Sequence, residues 1–466
     1  MIAKWKQLLL ISVLATCGIV SCELPDANDP EWSTDVVGID EMHLTAEHWV
    51  GMANRPDDIL IGDQGIAALA AASIANDPNM IDLSAYSDTL SATVVSDAIS
   101  SISKPYGTDL HYRDGGKVDD SDYDRYQNNL NLEALTDDIA VRFAMVVRRA
   151  DMRTWPTEDV VFKSKETFDL DRFQENGLFP ADIVAVLHES TDGLWLFVQS
   201  YNYAAWVRKN KIAIGRRAEI LAYQDTARFL VVTGSKVTTN FNPRTPAISE
   251  LQLDMGVRLP LAELGDIAHN VDGQNPYASF AVQLPVRDEH GGLEFRTALI
   301  ARSQDVRRGY LPYTSRNVIE QAFKFLGERY GWGHSYNARD CTGLVSEVYK
   351  TFGIYLPRNS GQQGHSPIGE SIRFTPETSE KEKLDAILAA DVGDLLFSSG
   401  HVMLYLGTDG GMPYVIHDLS GYGWVDDDGK VKEGVLNGVS VTPLLPIHSS
   451  RDATYFEEIY AVKKIR

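Results

Sequence analysis

Apolar and polar positions change their rhythm three times along this chain. From about Met42 to Arg149 the spacing is helical. Ile66-Ala-Ala-Leu-Ala-Ala-Ala-Ser-Ile and Leu132-Glu-Ala-Leu-Thr-Asp-Asp-Ile-Ala-Val-Arg-Phe place apolar side chains at helical intervals, separated by the turn-rich stretch from Lys104 to Asp124. A helical region over residues 42–150 is predicted. From Met152 the pattern becomes short alternating runs, Ile183-Val-Ala-Val-Leu-His188-Glu189, Leu194-Trp195-Leu-Phe-Val198 and Ala205-Trp206-Val207, with Thr191-Asp192-Gly193 as a turn. A second set follows from about Ala218, including Phe229-Leu-Val-Val-Thr and Ser279-Phe-Ala-Val-Gln-Leu-Pro285. Short strands at this spacing predict small β-barrels over 151–216 and 217–310, with no strict internal repeat.

After Tyr310 the pattern is mixed. Asn317-Val-Ile-Glu320 has the form of a capping box, which predicts a helix from Asn317 through Leu326 that stops at Gly327. Tyr330-Gly-Trp332-Gly333-His334 is a glycine-rich loop able to bend around a pocket. Beyond it, apolar residues at 341, 344, 345, 348, 349 and 352 form one helical stripe. The fold class read from this order is α+β.

The ends change the picture. Lys4 and Lys6 precede an apolar run from Leu8 to Val20, too short to span a bilayer but the right size for a signal-peptide core. Ile19-Val-Ser-Cys22 resembles a bacterial lipobox, so residues 1–21 are expected to leave as a lipoprotein signal, Cys22 to carry lipid, and residues 22–41 to form a tether. Glu23, in place of an aspartate, favours the outer membrane. Cys341 is then the one thiol of the mature chain without a disulfide partner, and such a thiol in an oxidising compartment calls for a use.

The 466 residues, 44% apolar and 23% charged, are ordinary for packed domains. The 65 acidic against 43 basic residues, a net charge of −22, argue against nucleic acid and against a polybasic membrane patch. The chain is expected to act as a monomer.

Asp340 is a good N-cap, making Cys341 the first residue of its helix, where unsatisfied N–H groups and the macrodipole favour a thiolate. A base is also needed. In Gly393 to Gly407 alternation puts His401, Met403 and Tyr405 on one strand face, Thr408-Asp-Gly-Gly411 is a turn, and Tyr414-Val-Ile-His417 returns as the partner strand. The hairpin sets His417 opposite His401 to within about one residue, supplying an orienting group for the base. Packing roles for the cysteine and both histidines stay open, as does zinc, although no CxxC or HxxxH pair supports a metal.

At these residues the chain resembles the NlpC/P60 family of bacterial cell-wall cysteine peptidases, a papain-like fold. Asp340-Cys341-Thr342-Gly343 stands for the family's Asp-Cys-Ser-Gly, Gly400-His401-Val402 for its histidine strand, and His417 for its third polar residue. The region from Asp151 to Tyr310 is similar to the paired SH3-like barrels of dipeptidyl-peptidase VI type enzymes, with Asp192 to Val198 the clearest match, and 42–150 resembles their stabilising segment. The resemblance implies a catalytic domain over 311–466 and a γ-D-glutamyl-L-diamino-acid endopeptidase without cofactor or metal. Its substrates would be peptidoglycan-derived peptides with a free N-terminal L-alanine.

By the same resemblance Asp340, Tyr330, Glu189 and Tyr203 would hold the substrate ammonium, Asn359 and Ser360 the D-glutamyl carboxylate, and Trp332 and Thr342 would line the groove. Thr342 in place of serine, His334 in place of glycine and Ala204-Ala205 before Trp206 depart from the pattern. Action on intact wall, an amidase or acyltransferase, and an inactive wall-binding lipoprotein remain the alternatives.

Overall fold

The structure, a computed structural model, describes residues 33–263, 265, 269–426 and 428–466. The signal segment, Cys17 and Cys22 lie outside the described residues. No described helix is long and apolar enough to cross a membrane. The described end of the expected tether is docked. Ile39 is buried in the same core as Trp49 and Val50, and the Tyr414 hydroxyl donates to the Gly38 carbonyl at 2.7 Å.

Helices form at Ala46–Met52, Asp63–Asn76, Ala92–Ile102 and Asp120–Asn129. The helix expected from Leu132 does not form. Beyond a 3₁₀ turn at Leu132–Ala134, the chain makes the strands Asp138–Ala140 and Arg142–Val146. Phe143 and Met145 pack on one side of the second strand and Ala144 and Val146 on the other. A strand buried on both faces has an unbroken apolar run, which periodicity cannot tell from helix.

That strand joins the first barrel, a seven-stranded sheet in the order Ile212–Gly215, Arg142–Val146, Ile183–Glu189, Trp195–Gln199, Ala204–Arg208, Ala150–Arg153 and Gln174–Leu178. The barrel thus begins before residue 151. A second β unit wraps Leu230, Val232, Leu253, Leu259, Val282 and Ile300 with the hairpin Ser279–Arg287 and Leu293–Ala301 and shorter strand pairs.

The C-terminal part packs the helices Ser315–Phe323 and Cys341–Lys350 on an antiparallel sheet. Its strands are β1 (Glu370–Arg373), β2 (Leu395–Ser398), β3 (His401–Asp409), β4 (Met412–Val425), β5 (Val431–Pro443) and β6 (Ala461–Lys464), in the order β1-β6-β2-β3-β4-β5. The first helix starts earlier than the capping-box reading: Thr314 is its N-cap and accepts from the Asn317 N–H at 3.2 Å, while Asn317 lies inside and donates to the Pro312 carbonyl. A threonine three residues upstream takes the cap, and the helix ends earlier than expected, at Phe323.

Candidate active site

Asp340 caps the helix Cys341–Lys350, its Oδ1 accepting from the Gly343 N–H at 2.9 Å, so Cys341 is the first helical residue. The helix supplies the thiol and the β2–β3 hairpin supplies the imidazole. Ser398 pairs with His401 across a two-residue turn in which Gly400 takes φ +74°, a left-handed conformation that suits glycine. Cys341, Tyr330 and His401 line one cleft of about 700 Å³, together with Gly400, Asp418, Tyr422 and Tyr455.

The two histidines are diagonal neighbours. Leu404 pairs with Ile416 and a bulge lies between Tyr405 and Gly407, so His417 faces Met403, one residue further from His401 than the hairpin reading expected. The rings still meet, as diagonal side chains of this length can. His401 Nε2 lies 2.9 Å from His417 Nδ1, and His417 Nε2 lies 3.0 Å from Thr442 Oγ1. Tyr455 covers both rings at centroid distances of 5.3 and 5.6 Å. This leaves Nδ1 of His401 as its free ring nitrogen.

Burial sets the charge state. It pushes the Cys341 thiol up to about 12, with the Asp340 carboxylate adding to the rise and the Val402 N–H opposing it. The same effect holds His401 down to about 4, and His417 well below the ordinary imidazole range. The resting pair is therefore neutral thiol and neutral imidazole. The thiolate expected from the helix start alone does not prevail, because desolvation of a charged sulfur outweighs the N-terminal field.

The loop Tyr330 to Asp340 is held by the first barrel. Trp332 Nε1 donates to the Gln174 carbonyl at 3.0 Å, Gln174 Nε2 donates to the Gly333 carbonyl at 2.8 Å, and Arg149 donates to the carbonyls of His334 and Ala338. His334 is buried between Gly177 of the barrel and Gly343 of the Cys341 helix, where a Cβ on Gly343 would fall 2.8 Å from its Nε2. Burial holds this ring down to about 4.

Asp340 is saturated. Besides the cap, it accepts from the Thr342 hydroxyl, the Gly333 N–H and Arg358, whose guanidinium lies 2.6 Å away. Burial alone would push this carboxyl up, but Arg358 and His334 hold it well below the usual range. Arg358 also donates to Thr342 Oγ1 and to the Glu175 carbonyl.

The barrel carboxylate that meets Tyr203 is Glu175, not Glu189. Tyr203 donates to Glu175 Oε2 at 2.5 Å and Thr154 to Oε1 at 2.6 Å, and among the described residues no cation pairs with Glu175. Glu189, at the end of its strand, is taken by Lys209 at 2.5 Å and approached by Arg142 at 4.0 Å. Strand register decides between them, since Gln174–Leu178 is the strand that touches the Tyr330–Asp340 loop. Asn359 and Ser360 begin the helix Ser360–His365; they, like Asp340, Thr342, Trp332, Tyr203, Glu175 and Glu189, are not in the lining of the Cys341 cleft, in which Tyr330 is the one expected substrate-binding residue.

Four groups here escaped the sequence reading: Glu175, Arg358, Thr442 and Asp418. Asp418 is fully buried on β4, lines the cleft, and has no hydrogen-bond partner on either oxygen. Burial pushes its carboxyl well above the ordinary range.

Residues 327–424 match the NlpC/P60 family and residues 160–208 match an SH3 domain of the SH3b1 type. The chain thus carries an NlpC/P60 domain behind an SH3b domain. A gamma-D-glutamyl-L-lysine dipeptidyl-peptidase of Bacillus cereus is 27% identical over 220 residues, 45% of this chain and 55% of that one. A probable endopeptidase p60 of Listeria seeligeri is 36% identical over 120 residues, 23% of this chain and 20% of that one. The chain therefore matches about a fifth of the latter relative's length and about half of the former's. Among solved structures, an NlpC/P60 endopeptidase from Photobacterium damselae subsp. piscicida aligns over 90% of this chain and 96% of that one, with a TM-score of 0.71 and 18% identity. That likeness is one of fold.

Proposed function

We propose that this protein is an exported cysteine peptidase that cleaves the γ-D-glutamyl to L-diamino-acid bond of peptidoglycan stem peptides bearing a free N-terminal L-alanine. It acts as a lipid-anchored monomer, held through Cys22 on the periplasmic side of the outer membrane. The observation that carries the reading is that Cys341 and His401 line one cleft, with His417 and Thr442 hydrogen-bonded in series behind His401 and the neighbouring loop pinned by an SH3-like barrel.

Because the resting pair is neutral, attack and proton transfer go together. Cys341 Sγ bonds to the γ-glutamyl carbonyl carbon while its proton passes to Nδ1 of His401, and the backbone N–H of Cys341 receives the developing oxyanion. The proton on Nε2 of His401 stays on that nitrogen and is donated to Nδ1 of His417, which in turn donates from Nε2 to Thr442. His401 then protonates the leaving nitrogen as the C–N bond breaks. Water, giving a proton to His401, hydrolyses the thioester and restores the thiol.

The substrate ammonium is assigned to Glu175 and Tyr203, since Asp340 is already neutralised by Arg358 while Glu175 has two hydroxyl donors and no cation. The test is mass analysis of stem peptides that either carry a free N-terminal alanine or remain on muramic acid. Release of L-alanyl-D-glutamate from the free form alone supports the reading. Equal cleavage of both forms, or products from another bond, overturns it.

A further inference from the structure

Away from the cleft, two histidines of the N-terminal segment converge on one carboxylate at the tip of the β3–β4 hairpin. His43 Nε2 lies 3.2 Å and His48 Nε2 3.1 Å from the same oxygen, Asp409 Oδ2. Among the described residues this is the one group of three His, Cys, Asp or Glu side chains close enough to share an ion, with ligand atoms all within 4.8 Å of one another. The rings are fixed in advance. His43 stacks on Tyr414 at 4.8 Å, and His48 stands edge-on to Trp49 at 4.9 Å.

The two histidines reach the oxygen differently. The Asp40 N–H donates to His43 Nδ1 at 2.9 Å, so the neutral ring carries its proton on Nε2 and gives it to Asp409. The His48 side chain is only 10% exposed, and its buried Nε2 makes no hydrogen bond despite its 3.1 Å approach. Its ring axis passes beside the oxygen. Two donors on one tetrahedral ion, each at about 2.0–2.1 Å, stand about 3.3 Å apart with the ion off the line between them. The His48 geometry is that of a ligand pair lacking its ion rather than of a hydrogen bond.

We propose that His43, His48 and Asp409 bind one divalent ion of the zinc class, which staples the N-terminal segment to the hairpin that carries His401 and His417. Solvent takes the fourth position. Binding requires the other tautomer of His43, with its proton on Nδ1, and so gives up the Asp40 N–H contact. Imidazole and carboxylate donors suit Zn²⁺ and Co²⁺ better than Mg²⁺ or Ca²⁺. The site lies outside the proposed catalytic reaction and does not depend on it.

The test uses tag-free full-length protein carrying Cys17→Ser, Cys22→Ser and Cys341→Ala, which removes all three competing thiols, titrated with Zn²⁺ by calorimetry and with Co²⁺ by absorption. One equivalent of Zn²⁺ should bind and raise the melting temperature by several degrees, and Co²⁺ should show tetrahedral bands. His48→Ala, which removes no hydrogen bond, should weaken Zn²⁺ at least tenfold and abolish the bands. Asp409→Asn, which still accepts from His43, should do the same and serves if the first variant unfolds. Absence of one-to-one binding, or binding equally tight in both variants, overturns the site.

Discussion

His401 Nε2 and His417 Nδ1 stand 2.9 Å apart, which leaves a single tautomer for catalysis. For His401 to keep a lone pair on Nδ1 for the thiol, its proton must sit on Nε2 and be accepted by His417. His417 must then donate from Nε2 to Thr442 at 3.0 Å. His417→Ala should therefore lower kcat by about 10²- to 10³-fold with KM little changed, the loss typical of a mispositioned general base. Thr442→Val leaves a buried N–H unpaired, a penalty of about 1–3 kcal/mol that can be relieved by the wrong tautomer, and should lower kcat by a smaller factor. Steady-state kinetics checks both, and equal kcat in His417→Ala would remove His417 from the site.

The pH profile follows from burial. With His401 held down to about 4 and Cys341 pushed up to about 12, the neutral reactive pair persists across the whole range between them. Protonation of His401 stops catalysis, so kcat/KM should fall only as pH drops towards 4, and should be nearly flat from pH 5.5 to 8. A general-base mechanism with an ordinary, solvated imidazole would lose about tenfold at pH 5.5, because the group would titrate near 6.5. A pH series on one peptide decides between them.

The helix that begins at Cys341 and the histidine hairpin are legible in the sequence because each is local: a cap, a helical stripe, an alternating strand and a glycine turn. Glu175 and Arg358 are not. Their contact spans 183 positions of sequence and exists only because the strand Gln174–Leu178 docks on the Tyr330 loop. Glu189 looks equivalent in the linear chain, and strand register alone turns it towards Lys209. The strand Arg142–Val146 hides for another reason, since burial on both faces erases the alternation that would mark it.

Glu175 without a cation predicts a charge requirement in the substrate. Glu175→Gln removes the negative charge but keeps a partner for Tyr203 and Thr154. Loss of a charge-assisted contact of about 1.5–3 kcal/mol should reduce kcat/KM for free-amine peptides by about 10- to 100-fold, mainly through KM. The same substitution should leave N-acetylated peptides unaffected, closing the gap between the two substrates. If the gap persists in the variant, the ammonium is read elsewhere. Glu189→Gln is the matched control and should change neither rate.

His334 predicts how stability responds to acid. Its imidazole is buried between barrel and the Cys341 helix and held down to about 4, against about 6.5 in an unfolded chain. Above pH 6.5 neither state binds the proton and the group is silent. Between 6.5 and 4 the unfolded chain takes up a proton that the folded chain refuses, so stability falls as pH drops, by up to about 3 kcal/mol for this one ring. His188, His401 and His417 move in the same direction. The paired carboxylates Asp340 and Glu347 are held below their usual values and lose their contribution only at lower pH, below about 4.5. Across the window from 6.5 to 4.5 the histidines lower stability as pH falls, opposed by Asp394, whose carboxyl burial pushes up to about 6, and by Asp418, pushed well above the usual range. Urea midpoints measured across it should fall more steeply with acid in the wild type than in His334→Gln, whose side chain fills the same slot without titrating. Identical slopes in the two proteins would show that His334 is not the buried neutral wedge described.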